Sequence, residues 1–338
     1  MFKTLRNLLL LLLLVALAAA AATYWLAQRP LRLAASPLDF TVAAGSSLRS
    51  AEQQVTAAGV ELPPRLLEAL GRLLGVDARI KAGSYEISEG ISTLDLLHKL
   101  TRGDVTQTEI AFIEGWTFRQ MRERIDAHPD LRHDTRGLSE AELLRRLGID
   151  DVAAEGWFFP DTYLFARQSS DLAVLARAHR AMRRHLEREW AARPAGLPYR
   201  DAREALVMAS IIEKETGRES ERTEIAAVFV NRLRIGMRLQ TDPTVIYGLG
   251  EAFDGNLRKR DLLADTPYNT YTRAGLPPTP IAMPGLASLQ AALNPAASRA
   301  LYFVARGDGS SHFSRTLDEH NRAVARYQLN RGNREKGG

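Results

Sequence analysis

The sequence predicts an α+β protein in three parts: an apolar N-terminal helix, a small α+β module, and a larger mixed α/β domain. Three observations carry this. Leu8 to Leu26 is an unbroken run of apolar or small residues, strand and helix patterns alternate over residues 38–104, and a helix with no polar side opens near Asp201. The 338 residues are 45% hydrophobic and 25% charged, an ordinary globular composition. Cysteine is absent, which excludes disulfides, thiolate metal sites and a lipid-modified cysteine. The net charge of +5 comes mostly from arginine. Such a basic excess suits anionic surfaces without selecting phospholipid, wall polymer or nucleic acid.

About 20 apolar residues cross a bilayer, so Leu8 to Leu26 reads as a membrane anchor. Lys3 and Arg6 precede it, which favours a cytoplasmic N-terminus, and Tyr24 and Trp25 stand where interfacial aromatics are expected. The small residues Ala18 to Ala22 also allow a cleaved signal peptide. Either way, the rest of the chain is expected outside the cytoplasm.

In the next part, Phe40 to Val42 reads as extended, and a helical pattern follows Ala44-Gly45-Ser46-Ser47. A second helix opens after Pro63-Pro64, Ile80 to Ile87 reads as a strand, and Ser92 caps a helix ending at Gly103. This strand, turn and helix-pair order resembles a LysM-like domain, a fold associated with glycans containing N-acetylglucosamine. A ligand-free spacer has the same pattern.

Val105 to Ile113 reads as a strand into Glu114-Gly115-Trp116, and Glu155-Gly156-Trp157 recurs before Phe158, Phe159 and Tyr163. Those aromatics suit either sugar stacking or a core. Ser170 to Arg193 is a helical pattern with Arg177, Arg180, Arg183, Arg184 and Arg188 on a basic face.

The central helix is predicted from Asp201, which with Glu204 makes a capping-box start, to Gly217, a helix-stopping residue. Leu206, Val207, Met208, Ala209, Ile211 and Ile212 leave no polar face, so the helix belongs to a core. Its last turn carries Glu213 and Glu215, and at least one of these carboxylates is expected to be desolvated, which raises its pKa towards that of a general acid. Periodicity does not choose between them. Wheel positions place Glu213 over the small residues Ala209 and Ser210, which leave space for a sugar, and Glu215 over Met208 and Ile211, whose bulk is expected to block one, so Glu213 is the expected proton carrier.

Beyond it, Ser220 opens a second helix that Gly236 stops, and an extended Met237 to Gln240 leads into Thr241-Asp242-Pro243. Asn231, Gln240, Thr241 and Asp242 are hydrogen-bonding side chains at element ends, Asp242 also being a natural turn residue before proline. Residues 267–285 hold five prolines with Tyr268, Asn269, Tyr271 and Arg273, a stiff loop suited to a groove wall. Leu301 to Val304 and Ser311 to Ser314 read as a hairpin, and Thr316 with Glu319 caps a final helix.

Six segments taken together resemble one family: Met208 to Thr216, Val230 to Arg234, Leu239 to Val245, Tyr268 to Tyr271, Gly275 to Pro278, and His312 to Ser314. The chain is similar to the membrane-anchored endolytic murein transglycosylases of the MltG (YceG-like) type. The resemblance implies an anchor over residues 1–30, a LysM-like module over 38–104 and a catalytic domain over 105–330. It makes Glu213 the catalytic acid and base. It also implies a substrate, nascent peptidoglycan strands cut internally between N-acetylmuramic acid and N-acetylglucosamine, and cooperation with wall-synthesis machinery at the inner membrane.

One carboxylate suffices for such chemistry, because the sugar's own C6 hydroxyl replaces water as nucleophile and gives a 1,6-anhydro end. Thr241, Asp242, Tyr268 and Asn269 are candidates to support the oxocarbenium-like state, with Asn231, Gln240 and Tyr271 positioning substrate. No cofactor or metal is implied. The alternatives are a two-carboxylate muramidase and a non-catalytic wall-binding scaffold. Metal and serine hydrolysis lack a His-Glu-x-x-His helix and a Gly-x-Ser-x-Gly elbow, and an external location argues against a nucleic-acid partner.

Overall fold

The computed structural model describes residues 2–43, 45–105, 107–215 and 218–329. It is a mixed α+β chain that divides into two compact units. The first comprises Met1–Glu109 with Asp130–Arg132 and Leu164–Ser169, and the second takes the remainder.

The first unit opens with α1 (Phe2–Ala27). Its Leu10–Ala27 stretch, of mean hydropathy 2.2, is long and apolar enough to cross a membrane by length and composition. Leu10 to Val15 and Leu17 are exposed along it. After β1 (Arg32–Leu33) come β2 (Leu38–Val42), α2 (Leu48–Ala57), β3 (Val60–Glu61), α3 (Leu66–Leu73), β4 (Gly83–Ile87) and α4 (Thr93–Arg102).

β2 pairs antiparallel with β4, placing Leu38 opposite Ile87 and Phe40 opposite Tyr85. Alternation buries Leu38, Phe40 and Val42 while Asp39 and Thr41 face out. The strand expected from Ile80 begins only at Gly83, since the Lys81 amide bonds the Leu100 carbonyl at 3.0 Å instead. α2 presents Leu48, Ala51 and Val55 to the same core, and α4 presents Leu96, Leu97 and Leu100. Ser92 and Asp95 close a capping box at α4, and the Ser92 hydroxyl holds the Asp95 pKa below its usual range.

Four short strands follow in chain order, β5 (Gln107–Ala111), β6 (Leu131–Arg132), β7 (Thr162–Ala166) and β8 (Ser169–Ser170), paired β5 with β7 and β6 with β8. The helices of the second unit are α5 (Phe118–Asp126), α6 (Glu140–Leu147), α7 (Asp171–Ala192), α8 (Ala202–Glu215), α9 (Arg222–Arg234), α10 (Asp242–Leu249), α11 (Lys259–Leu263), α12 (Leu286–Leu293) and α13 (Leu317–Val324). A hairpin of β9 (Tyr302–Ala305) and β10 (Ser311–Ser314) precedes α13.

α8 is the axis of this core. Every residue from Ala205 to Ile212 is buried, and the helix packs chiefly on α12, then on α7, α9 and α10. Asp201 caps it by accepting the Glu204 amide at 2.9 Å. The reciprocal half of the expected box is absent, because Glu204 turns to the Arg200 amide at 2.7 Å. Gly217, expected to end the helix, lies outside the described residues. Phe158, Phe159 and Tyr163 are buried, so core packing is the use this structure makes of that aromatic cluster. Asp242 is the first residue of α10, with Pro243 at the position where a helix tolerates proline, so the expected turn is a helix start.

Candidate active site

Glu213 and Glu215 are two residues apart on one helix, a rotation of about 200°, so they look to opposite sides of α8. Glu213 Oε2 accepts the Gly285 amide at 3.0 Å. Glu114 lies against the same Gly285, and burial, then repulsion from Glu213, raise the Glu114 pKa. Lys214 Nζ donates to the Gly115 carbonyl at 3.2 Å, while Gly115 and Trp116 exchange backbone hydrogen bonds with Met283 at 2.9 and 2.7 Å. Glu213 therefore sits where two loops are stitched together.

Glu215 faces a cleft of about 410 Å³. Its carboxyl accepts a hydrogen bond from the Thr241 hydroxyl. Burial raises its pKa, the Thr241 bond lowers it, Asp242 raises it and Arg232 lowers it, with a net upward shift. The bulk of Met208 and Ile211, expected to block this side, is instead buried in the core and leaves the carboxyl at the cleft.

Gln240, Asp242 and Tyr271 line that cleft. Tyr271 donates its phenolic hydrogen to Asp242 Oδ1 at 2.5 Å. Gln240 adopts a left-handed backbone, φ 51°, which costs a residue with a β-carbon and persists only where neighbours impose it. Here the Gln240 amide bonds the Thr270 carbonyl at 3.1 Å, and Arg232 Nη1 bonds the Leu239 carbonyl at 2.5 Å. The Thr241 amide bonds Thr270 Oγ1 at 3.1 Å, completing a rigid loop under Glu215.

Three expected site residues are spent on internal hydrogen bonds, two of them to backbone. Asn231 Nδ2 donates to the Ser298 and Ala300 carbonyls at 2.9 and 3.0 Å. Asn269 is fully buried, with its amide nitrogen shared by the carbonyls of Asp261, Leu262 and Ala264 and its oxygen accepting the Tyr271 amide. Tyr268 pairs its hydroxyl with Thr279 Oγ1 at 2.8 Å.

Arg232, Tyr302, His320 and Glu155 carry no role in the sequence-based expectations. The first three line the Glu215 cleft with Phe303 and Leu317. Glu155, from the second Glu-Gly-Trp, is buried and accepts the Phe118 amide at the start of α5 and the Tyr247 hydroxyl. Burial drives its pKa to about 7. The recurring tripeptide was the available signal. A larger cavity of about 480 Å³ lies by Arg200, Arg203 and Gly275 to Pro278, but its arginines are paired with Glu204 and Asp151. Among the described residues, no cluster of His, Asp and Glu could hold a metal ion.

A carboxyl group raised in pKa at an open cleft can exchange a proton with a bound molecule, as an acid–base enzyme requires. The chain belongs to the YceG-like family, whose model matches residues 40–326. It is 33% identical over 264 residues to the endolytic murein transglycosylase of Bacillus subtilis, covering 73% of each chain. It is 29% identical over 282 residues to that of Streptococcus pneumoniae, covering 73% of this chain and 51% of the relative, about half its length. The crystal structure of a yceG-like protein from Listeria monocytogenes matches with a TM-score of 0.52 at 31% identity, covering 85% of this chain and 98% of that one.

Proposed function

We propose that this chain is an endolytic murein transglycosylase that cuts glycan strands between N-acetylmuramic acid and N-acetylglucosamine, with Glu215 as its acid and base. The single observation that carries the assignment is the Glu215 carboxyl, raised in pKa by burial yet open to a cleft built from family motifs. Protonated Glu215 gives its proton to the glycosidic oxygen as the bond from C1 breaks. The resulting carboxylate then takes the proton of the C6 hydroxyl as that oxygen bonds C1, which leaves a 1,6-anhydro end and returns Glu215 to its starting state. Thr241 and Arg232 favour the carboxylate in between, and Asp242 opposes it. Gln240, Asp242 and Tyr271 meet the substrate. Asn231, Tyr268 and Asn269 act as positioning residues through the loops they hold.

A second reading keeps the proton on Glu213, as the resemblance implies. It is favoured by the neighbouring Glu114, whose pKa Glu213 helps to raise. Uncrosslinked glycan strands treated with the purified full-length protein, and analysed by mass spectrometry, separate these. Anhydro ends on internally cut chains are expected, and Glu215→Gln should lower turnover by about 10² to 10⁴ while Glu213→Gln keeps most of it. The reverse ranking moves the acid to Glu213. Reducing ends would indicate a muramidase, and disaccharides released only from a terminus would sink endolytic cleavage.

The same reading makes α1 an inner-membrane anchor with the catalytic domain outside, near the wall-synthesis machinery. The apolar Leu10–Ala27 stretch supports it, and native protein beginning near Ala22 or Thr23 would replace the anchor with a cleaved leader. Domain limits of 1–30, 38–104 and 105–330 belong to this proposal. The β2–α2–α3–β4 order, with β2 antiparallel to β4, supports a LysM-like, glycan-binding reading of residues 38–104.

A further inference from the structure

The hairpin and α13 contribute Tyr302, Phe303, Leu317 and His320 to the lining of the Glu215 cleft. Tyr302 of β9 and His320 of α13 stack with ring centroids 5.2 Å apart and planes 24° apart. Arg232 backs the pair, its guanidinium carbon 5.4 Å from the Tyr302 ring centre. Nε of that arginine is spent on the Leu301 carbonyl at 2.7 Å and Nη1 on that of Leu239, so it braces the wall. Leu317, at the start of α13 and three residues before His320, lines the same cleft and is 54% exposed. Gln240 stands in the same cleft, exposed, with no side-chain hydrogen bond among the described residues.

We propose that Tyr302, His320 and Leu317 form a saccharide subsite that takes one N-acetylhexosamine ring of the glycan strand, with the Gln240 amide meeting its acetamido group. This rests on the reading of the cleft as the place of murein cleavage. A pyranose presents axial C–H bonds on one face, and these pack against a flat aromatic surface. The stack holds both rings in place at the cleft, so a contact with them carries little ordering cost at binding. Leu317, three residues before His320 on α13, adds exposed apolar surface to the same cleft. Burial, then Arg232 and His312, hold the His320 pKa below its ordinary value, which favours the uncharged imidazole beside Arg232. An acetamido group offers one N–H and one carbonyl, and a primary amide satisfies both.

The test compares full-length wild type with His320→Ala, His320→Phe and Leu317→Ala on uncrosslinked strands, with melting followed for each. His320→Ala should raise KM about tenfold, the loss of one ring contact, with kcat changed less than about threefold, the signature of lost uniform binding. Leu317→Ala should move KM the same way, and His320→Phe should restore it. Unchanged KM in both alanine variants would overturn the subsite while leaving Glu215 chemistry standing. A fall in kcat and melting temperature together, or a His320→Phe protein as weak as His320→Ala, would also overturn it by making the contact structural or polar. Normal cleavage by both Glu215→Gln and Glu213→Gln would bring down the underlying reading instead.

Discussion

The Thr241 hydroxyl donates its hydrogen to the Glu215 carboxyl, joining the end of α8 to the loop that starts α10. The bond favours the ionised form and opposes the burial that raises the Glu215 pKa. Thr241 thus sets how far the acid is tuned, as well as where it points.

Thr241→Val keeps the shape and removes that donor. The Glu215 pKa should rise further, so cleavage, which needs the protonated acid, should decline at a higher pH than in the wild type. The pH dependence of kcat measures this, and a decline moved to lower pH would contradict the assignment of Glu215 as the acid.

Glu155 predicts a pH-dependent stability. Its folded pKa of about 7 lies above the unfolded value of 4.5, so the native state binds the proton more tightly. Below pH 4.5 both states are protonated and the site costs nothing. Between 4.5 and about 7 the native state loses ground, by about 3 kcal/mol in all. Glu155→Gln removes this titration, so the variant's melting temperature relative to the wild type should improve from pH 5 to pH 8. A constant difference would mean that Glu155 is not desolvated as described.

Two glycines with similar backbones should respond differently to alanine. Gly156 has φ 83° and Gly275 has φ 85°. A β-carbon at Gly156 would come within 2.5 Å of Pro280, whereas one at Gly275 meets nothing within 4 Å. Gly275→Ala should cost about 1–2 kcal/mol, the left-handed penalty alone. Gly156→Ala should cost roughly 1–3 kcal/mol more, the range for overpacking. Denaturant titration of both variants checks the ranking.

What the sequence alone determined is local. The Ser92 and Thr316 caps, the hairpin, the apolar N-terminal helix and the all-round burial of Leu206 to Ile212 follow from 3.6- and 2-residue periodicities and from side chains bonding backbone within a few residues. Family membership was legible for the same reason, in short contiguous segments. Tertiary structure alone decided which glutamate meets the cleft. Helical rotation separates Glu213 from Glu215, but whether Gly285 or Thr241 covers each side is set by chain 72 and 26 residues away. It also turned Asn269 from a free polar group into one that holds three carbonyls, and brought Tyr302 onto His320. Such pairings depend on how helices and loops pack in three dimensions, and no periodicity in the chain encodes that.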